Sequence, residues 1–435
     1  MKKYLALALL GALVTGAALP PAQQKVDRET KVRDDKKKLE ASGYWHYNDL
    51  PAAFAEAKTT GKPIVVVLRC IPCEECVKLD DEVIEANAQM KGLLDKFVRV
   101  RQISTNGLDL SLFQYDTDQS FAVFLLNADG TIYGRYGTRS HRTEWQGDVS
   151  VEGMAKALEG ALALHKDYPK NKALLATKRG PAPEFAKPEL FPSLRAKYTP
   201  FLNYEGKVVP SCIHCHQISD AQKELALQRR QLTDTILYPY PHPKSFGLIL
   251  NPKERPAVLK TEPGSDAQKA GFLPGDVILS LEGQPLLSLA DMQWVLNTTP
   301  AAGATLKASV VRAGKPKTIT LTLPDGWRKR DDISWRVSTW GLRRAGLGGM
   351  KLDPNPSGKG LLVGHVGQFA PHDLAKKAGV VKGDILMGFD TVTNPTSETG
   401  LIAHALQVKK PGDTIPLTIQ RNGQTINTSF VLPAP

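Results

Sequence analysis

The feature that most constrains this 435-residue chain is a repeat inside its second half. The stretch Ala270–Leu279 (AGFLPGDVIL) returns as Ala378–Met387 (AGVVKGDILM). The same order of expected elements surrounds each copy. A strand precedes it (Ala257 to Thr261; Gly360 to His365), a helix follows (Ser288 to Asn297; Glu398 to Gln407), and a β-rich end closes it (Leu306 to Leu323; Thr414 to Leu432). A unit that recurs with its flanking elements implies two copies of one module. They fill 243–325 and 340–433, joined by a linker at 326–339.

The first half follows another pattern. Asp49, Pro51 and an apolar periodicity open a helix that Gly61-Lys62-Pro63 ends. Ile64–Leu68 (IVVVL) is a β-branched run suited to a buried strand. Helix is expected from Cys73 to Met90 and strand from Phe97 to Ile103. Phe121–Leu126, the turn at Asn127–Gly130 and Thr131–Tyr136 make a hairpin, and a last helix runs from about Val151 to Leu164. This order predicts an α/β layered domain over 44–167. Residues 168–242 are proline-rich with few apolar runs.

Both repeated segments resemble the PDZ domain, in the circularly permuted form common in exported bacterial proteins. The resemblance rests on the Gly275-Asp276 and Gly383-Asp384 signatures after an Ala-Gly helix end. It implies binding of extended peptides, often free C-termini, by strand addition at a sheet edge. In the first copy the carboxylate loop falls on Ser245–Ile249, which makes Phe246, Gly247, Leu248 and Ile249 the candidate peptide contacts. The alternative is that these residues are simply a first core strand. In the second copy Ala345–Gly349 is a looser match, and its groove is open or closed on this reading.

All five cysteines lie in two clusters, Cys70/Cys73/Cys76 and Cys212/Cys215. The segment from Lys62 onward resembles the thioredoxin family: Lys-Pro, a β-branched strand, a cysteine turn and an amphipathic helix. A sulfur at a helix N-terminus is favoured as thiolate. The resemblance implies Cys73 as nucleophile and Cys76 as resolving thiol, with Cys70 as a third thiol able to exchange with Cys73. A static disulfide is the alternative in an exported chain. The family's cis-proline is missing: Phe121 stands there, and no proline occurs between Cys73 and Tyr168. The whole order resembles a bacterial exported thioredoxin-like/PDZ family, some of whose members carry selenocysteine near this dithiol. The expected fold is thus multidomain: an α/β thioredoxin-like domain followed by two α+β PDZ domains.

Cys212-Ile-His-Cys215-His216 has the spacing of c-type haem attachment. That reading implies haem c, with Cys212 and Cys215 as thioether anchors and His216 as ligand to the haem iron. No methionine lies between Met154 and Met292, which leaves His242 as the candidate distal ligand. A chance match, a plain disulfide, or zinc held with His214 or His216 are the alternatives.

Residues 1–20 read as a secretory signal peptide: Lys2 and Lys3, a short apolar run, then small residues. A retained anchor is the alternative, although the run is short for a membrane span. A charged leader over 21–43 follows, expected to be exposed and helical. No second long apolar run follows, so the expected product is exported, periplasmic or extracellular, without a stable transmembrane segment. The net charge of +12 is spread among acids, with no basic run interleaved with aromatics, which argues against nucleic acid. A protease reading fails for want of Gly-x-Ser-x-Gly or His-Glu-x-x-His. Two functions stand. One is an extracytoplasmic thiol–disulfide redox protein that docks exported client proteins or peptide C-termini through its PDZ modules, with a covalently bound c-type haem for electron transfer. The other is a non-enzymatic PDZ adaptor with a structural thioredoxin-like domain.

Overall fold

A computed structural model describes residues 27–71, 88–119, 121–138 and 148–434. Cys73 and Cys76 lie outside the described residues, as does most of the helix expected to carry them.

The β-branched run forms β2 (Ile64–Leu68), with every side chain buried. It is central in a five-stranded sheet of order β1-β3-β2-β4-β5. β1 (His46–Tyr47) and β3 (Val98–Gln102) run parallel, and β2 pairs parallel with β3. The hairpin β4 (Phe121–Leu126) and β5 (Ile132–Thr138) is antiparallel. Side chains alternate across the sheet, so each strand feeds two cores. Val65, Val67, Val123 and Leu125 face the helices Ala88–Leu94 and Val151–Lys166. Ile64, Val66, Leu68 and Phe124 face the other layer, where Ala53 and Ala57 of the Leu50–Thr60 helix meet them. Asp49 caps that helix at the Ala52 N–H, and Gly61, at φ 67°, ends it.

Three expectations about boundaries are corrected. The leader is helical (Arg28–Ser42), but docked rather than exposed: Val32 and Leu39 are buried in the first core. Its Glu29 carboxylate accepts from the Val208 and Val209 N–H groups. Residues 168–242 are not a separate body, because Phe191, Leu194, Ile213, Ile218 and Ala221 complete the second face of the sheet. The stretch 326–339 is no free linker either. Arg336 donates to Asp116 at 2.5 Å, and Asp118 accepts from the Ser338 N–H and Oγ at 3.0 and 2.7 Å. Lys223 of the Cys215–Gln228 helix reaches both Ser338 and Asp118. Two acids and two cations balance inside this buried cluster, as burial demands.

The two repeats share one hydrogen-bond plan, which explains the Gly-Asp signature. Gly275 and Gly383 sit at φ 87° and 97°, a conformation that strongly favours glycine. Each aspartate next to them is buried and bonds two ways. Asp276 takes the Leu273 N–H and both arms of Arg312; Asp384 takes the Val381 N–H and both arms of Arg421. Each arginine also donates to the helix-end carbonyl, Gly271 or Gly379. Such bidentate pairs hold both carboxyls below the usual range.

The first repeat has a sheet of order β11-β10-β8-β9 and a separate pair, β6 (Leu248–Leu250) with β7 (Val258–Thr261). Here β8 is Val277–Leu281, β9 Gln284–Pro285, β10 Ala304–Arg312 and β11 Lys315–Leu323. The second repeat has β12 (Met350–Pro354), β13 (Leu361–Val366), β14 (Ile385–Phe389), β15 (Val392–Thr393), β16 (Thr414–Arg421) and β17 (Gln424–Val431). They form one sheet, β12-β13-β14-β16-β17, with β15 beside β14. Among the described residues no helix is long and apolar enough to cross a membrane.

Candidate functional site

Cys70 leaves the C-terminal end of β2, and the fold brings the second cysteine cluster to it. Its Sγ lies 2.9 Å from His214 Nδ1, across 144 residues of chain. Cys70, the first cluster's cysteine among the described residues, therefore meets the His214 that lies between Cys212 and Cys215, which the sequence did not indicate. Arg69, next to Cys70, is buried and pairs with Asp35 of the leader helix at 2.6 Å.

His214 is fixed from several directions. It precedes the Cys215–Gln228 helix, and Gln217 Oε1 accepts its N–H at 2.8 Å while Gln217 Nε2 donates to Tyr198. Its ring stacks on His216, centroids 5.9 Å apart and planes 5° from parallel. Burial, with the neighbouring His216 and Arg28 charges, pushes His214 down to about 4. At neutral pH it is a neutral imidazole. His216 turns to Asp220, Nδ1 to Oδ2 3.2 Å.

The loop carrying Cys212 is anchored by Asn106, a residue that sequence reading passed over. Asn106 Oδ1 accepts the Ile213 N–H at 2.8 Å, and its amide donates to the Thr199 and Ser211 carbonyls. Thr105 binds the Ile213 carbonyl through both N–H and Oγ1. Ile213 is fully buried and Cys212 is 6% exposed, with its sulfur toward the Ile103 carbonyl. Burial pushes the Cys212 thiol up to about 12. Cys215 is partly exposed and accepts a hydrogen bond from Tyr115 at 3.1 Å.

These residues do not fit a haem in this packing. A thioether-linked porphyrin needs both sulfurs and the histidine on one open face. Here Cys212 faces the core, Cys215 is bonded to Tyr115, and His216 faces Asp220. His242 does not serve as distal ligand either. It is 2% exposed, its Nδ1 accepts the Lys244 N–H, and its Nε2 lies 3.4 Å from Asp148. No cluster of three metal-ligating side chains occurs among the described residues, which leaves the zinc alternative without a site there.

The candidate peptide contacts of the first repeat divide. Phe246 and Leu248 belong to its core, at 3% and 1% exposure. Gly247, at φ 79°, ends the 3₁₀ turn Pro243–Phe246; its N–H donates to Lys244 and its carbonyl accepts from Glu262. A side chain there would collide with Ser265. Of the four, only Ile249 is half-buried, on β6, which among the described residues pairs only with β7.

The helix Leu289–Thr298 of the first repeat is the joint to the first domain. Asp291 accepts the Arg135 N–H at 3.1 Å and lies 3.0 Å from Lys178, both side chains fully buried. Trp294 donates to the Thr177 carbonyl and lies under the Arg135 guanidinium, 4.2 Å from the ring centre. Leu287 belongs to the core of the thioredoxin-like sheet, although it lies in the repeat. It is seated between Gly134 and Gly160, where added Cβ atoms would approach its methyls to 2.6 and 2.7 Å. Near the helix start, Tyr136 and Asp148 of the first domain line a small cleft together with Leu250 and Leu289 of the repeat.

The second repeat is tied together around its own first helix. The helix Thr339–Gly346 lies against β12, the Glu398–Ala403 helix and the turn after it. Arg343 makes a two-pronged buried pair with Glu398, at 2.9 and 2.7 Å. The same carboxylate takes the Leu352 N–H of β12 at 2.8 Å.

Comparison with known proteins bears on both halves. A thioredoxin-like family model matches residues 45–128, and a PDZ domain model matches residues 241–323. The chain is similar to the periplasmic serine endoprotease DegP of Salmonella typhimurium, 30% identical over 169 residues, which are 39% of this chain and 32% of that protein. It is also similar to the periplasmic pH-dependent serine endoprotease DegQ of Escherichia coli, 34% identical over 126 residues, 29% of this chain and 26% of that protein. The chain thus spans about a third or less of the curated relatives it matches. The second repeat lies outside both family matches. The chain contains a thioredoxin-like domain followed by a PDZ domain.

Proposed function

We propose that this chain is an exported thiol–disulfide redox protein in which a PDZ module docks the client. The observation that carries the reading is the 2.9 Å approach of Cys70 Sγ to His214 Nδ1 at the end of β2. A thiol and an imidazole in hydrogen-bond reach, with the base oriented by a third group, are the parts of an activated nucleophile. At rest His214 is a neutral imidazole, able to accept a proton. As Cys70 attacks a disulfide, its proton passes to His214, and the new thiolate charge favours the imidazolium.

The dithiol itself rests on sequence. Cys73 attacks a client disulfide, forming a mixed disulfide and releasing one client thiol. Cys76 then displaces the second client thiol, and two electrons have moved from dithiol to client. Cys70 exchanges with the resulting Cys73–Cys76 disulfide, leaving Cys70–Cys73 and a Cys76 thiol. Haem has no part in these steps. The second repeat is read as a PDZ-like module with its groove occupied from within, which leaves the first repeat as the docking module.

Trapping tests the reading. Cys76→Ser should accumulate mixed disulfides with exported client proteins, and Cys73→Ser should not. Blank trapping by both variants, with no insulin reduction, would sink it. The adaptor reading is favoured by Phe121 in place of the family's proline. It predicts peptide binding that survives replacement of Cys70, Cys73 and Cys76 by serine.

A further inference from the structure

A cavity of about 310 Å³ lies between the end of the Cys215–Gln228 helix and the second repeat. Ligand sites begin at about this size, apolar in lining with a few placed polar groups. Leu232, Ala405, Leu406 and Leu432 form its apolar wall. Arg230, Lys409 and Lys410 stand around it, and no acidic residue lines it. Lys409 is paired with Asp390 at 3.1 Å, whereas the side chains of Arg230 and Lys410 form no ion pair among the described residues, the nearby Asp413 carboxylate taking the Lys410 backbone N–H at 2.9 Å. Two chain ends of helical segments converge here, and their carbonyls carry roughly half a negative charge each, less than these two cations supply. The wall includes a π turn, His404–Val408, a distortion that is often found at functional sites.

We infer that this cavity binds a long-chain aliphatic carboxylate, its tail on Leu232, Leu406 and Leu432 and its headgroup between Arg230 and Lys410. A hydrocarbon tail fits better than a peptide for a physical reason. The backbone N–H groups of Lys410, Gly412 and Leu432 are already bonded, to Asp413 Oδ2, the Leu432 carbonyl and the Asp413 carbonyl. A peptide would bury its own amides here without partners, which is costly. An acyl chain has none to bury, and its single charge meets the cations.

Calorimetric titration of the full chain with dodecanoate, dodecan-1-ol and dodecyltrimethylammonium tests this. Dodecanoate should bind best, and added salt should weaken it. The exposed substitutions Arg230→Gln and Lys410→Gln together should weaken dodecanoate about fivefold and leave dodecan-1-ol unchanged. Leu406→Trp, which fills the cavity, should abolish binding of both. Absence of dodecanoate binding, equal affinity for all three amphiphiles, or indifference to the Arg230/Lys410 variant overturns the proposal. So does a leucine-ended peptide that binds in the cavity where dodecanoate does not. The charge variant is on the surface, so the proposal stays refutable if Leu406→Trp does not fold.

Discussion

The socket around Leu287 makes a quantitative prediction about how the two domains are joined. Leu287 is 1% exposed and fills the gap that Gly134 and Gly160 leave. Leu287→Ala removes the buried methyls and leaves a cavity between two bodies, at a cost of about 3 kcal/mol. Gly134→Ala does the opposite. Its new Cβ would lie 2.6 Å from Leu287 Cδ1 and 3.0 Å from Asp291 Oδ2, so overpacking should cost about 1–3 kcal/mol. In the double variant the new methyl occupies space that the lost leucine vacates. The double variant should therefore be no less stable than Leu287→Ala alone, a coupling of at least about 1 kcal/mol. Urea unfolding, followed by tryptophan fluorescence and by far-ultraviolet circular dichroism, measures all four corners of the cycle. Trp294, stacked on Arg135 at the same joint, reports its opening directly. Strict additivity, or a Leu287→Ala cost below about 0.5 kcal/mol, would refute the socket.

Three further outcomes follow from the geometry. Cys212, held up to about 12, should react with iodoacetamide at pH 8 roughly a thousandfold more slowly than an ordinary thiol, measured by mass spectrometry in a Cys215→Ser background. His214 is ordinary in the unfolded chain but lowered to about 4 when folded, so the unfolded state binds the extra proton between these values. Its burial therefore costs nothing above pH 6.5 and progressively removes stability as pH falls towards 4, by roughly 2–3 kcal/mol. His214→Gln should flatten that part of the acid limb of the stability curve; an unchanged limb would contradict the assignment. Glu398→Ala leaves the buried Arg343 charge and the Leu352 N–H without their partner, and should destabilise the second repeat by about 3–5 kcal/mol in thermal unfolding.

Much of the fold was legible because local chemistry and final environment agree. The β-branched run became β2 with the predicted bounds, Asp49 and Gly61 bracket their helix, and the Asn127–Gly130 turn joins β4 to β5. The Gly-Asp signature was readable because it is a local device: a left-handed glycine followed by a carboxylate that bonds three residues back. What the sequence hid was long-range. Cys212-x-x-Cys215-His216 matches a haem signature by spacing alone, yet spacing carries no record of which side chains turn inward. That choice is made by Asn106 and Thr105, more than a hundred residues away, which tie Ile213 into the sheet. His242 was similarly misjudged, because its partner Asp148 comes from a different domain. The leader looked solvated because its two buried residues, Val32 and Leu39, are too few to make an apolar stripe.

The cluster of Asp116, Asp118, Lys223, Ser338 and Arg336 has a consequence for the order in which the protein can be built. Asp116 and Arg336 are 220 residues apart. A chain emerges from its N-terminus, so the aspartates are in place before their arginine arrives. Until then the loop over the sheet carries two negative charges with one cation, Lys223, arriving midway. The early domain should therefore stay loose at this corner and close only when the last third of the chain arrives. Maturation of the thiol site and of the docking surface would then be timed together, so that a chain interrupted before Arg336 lacks the closure that joins them.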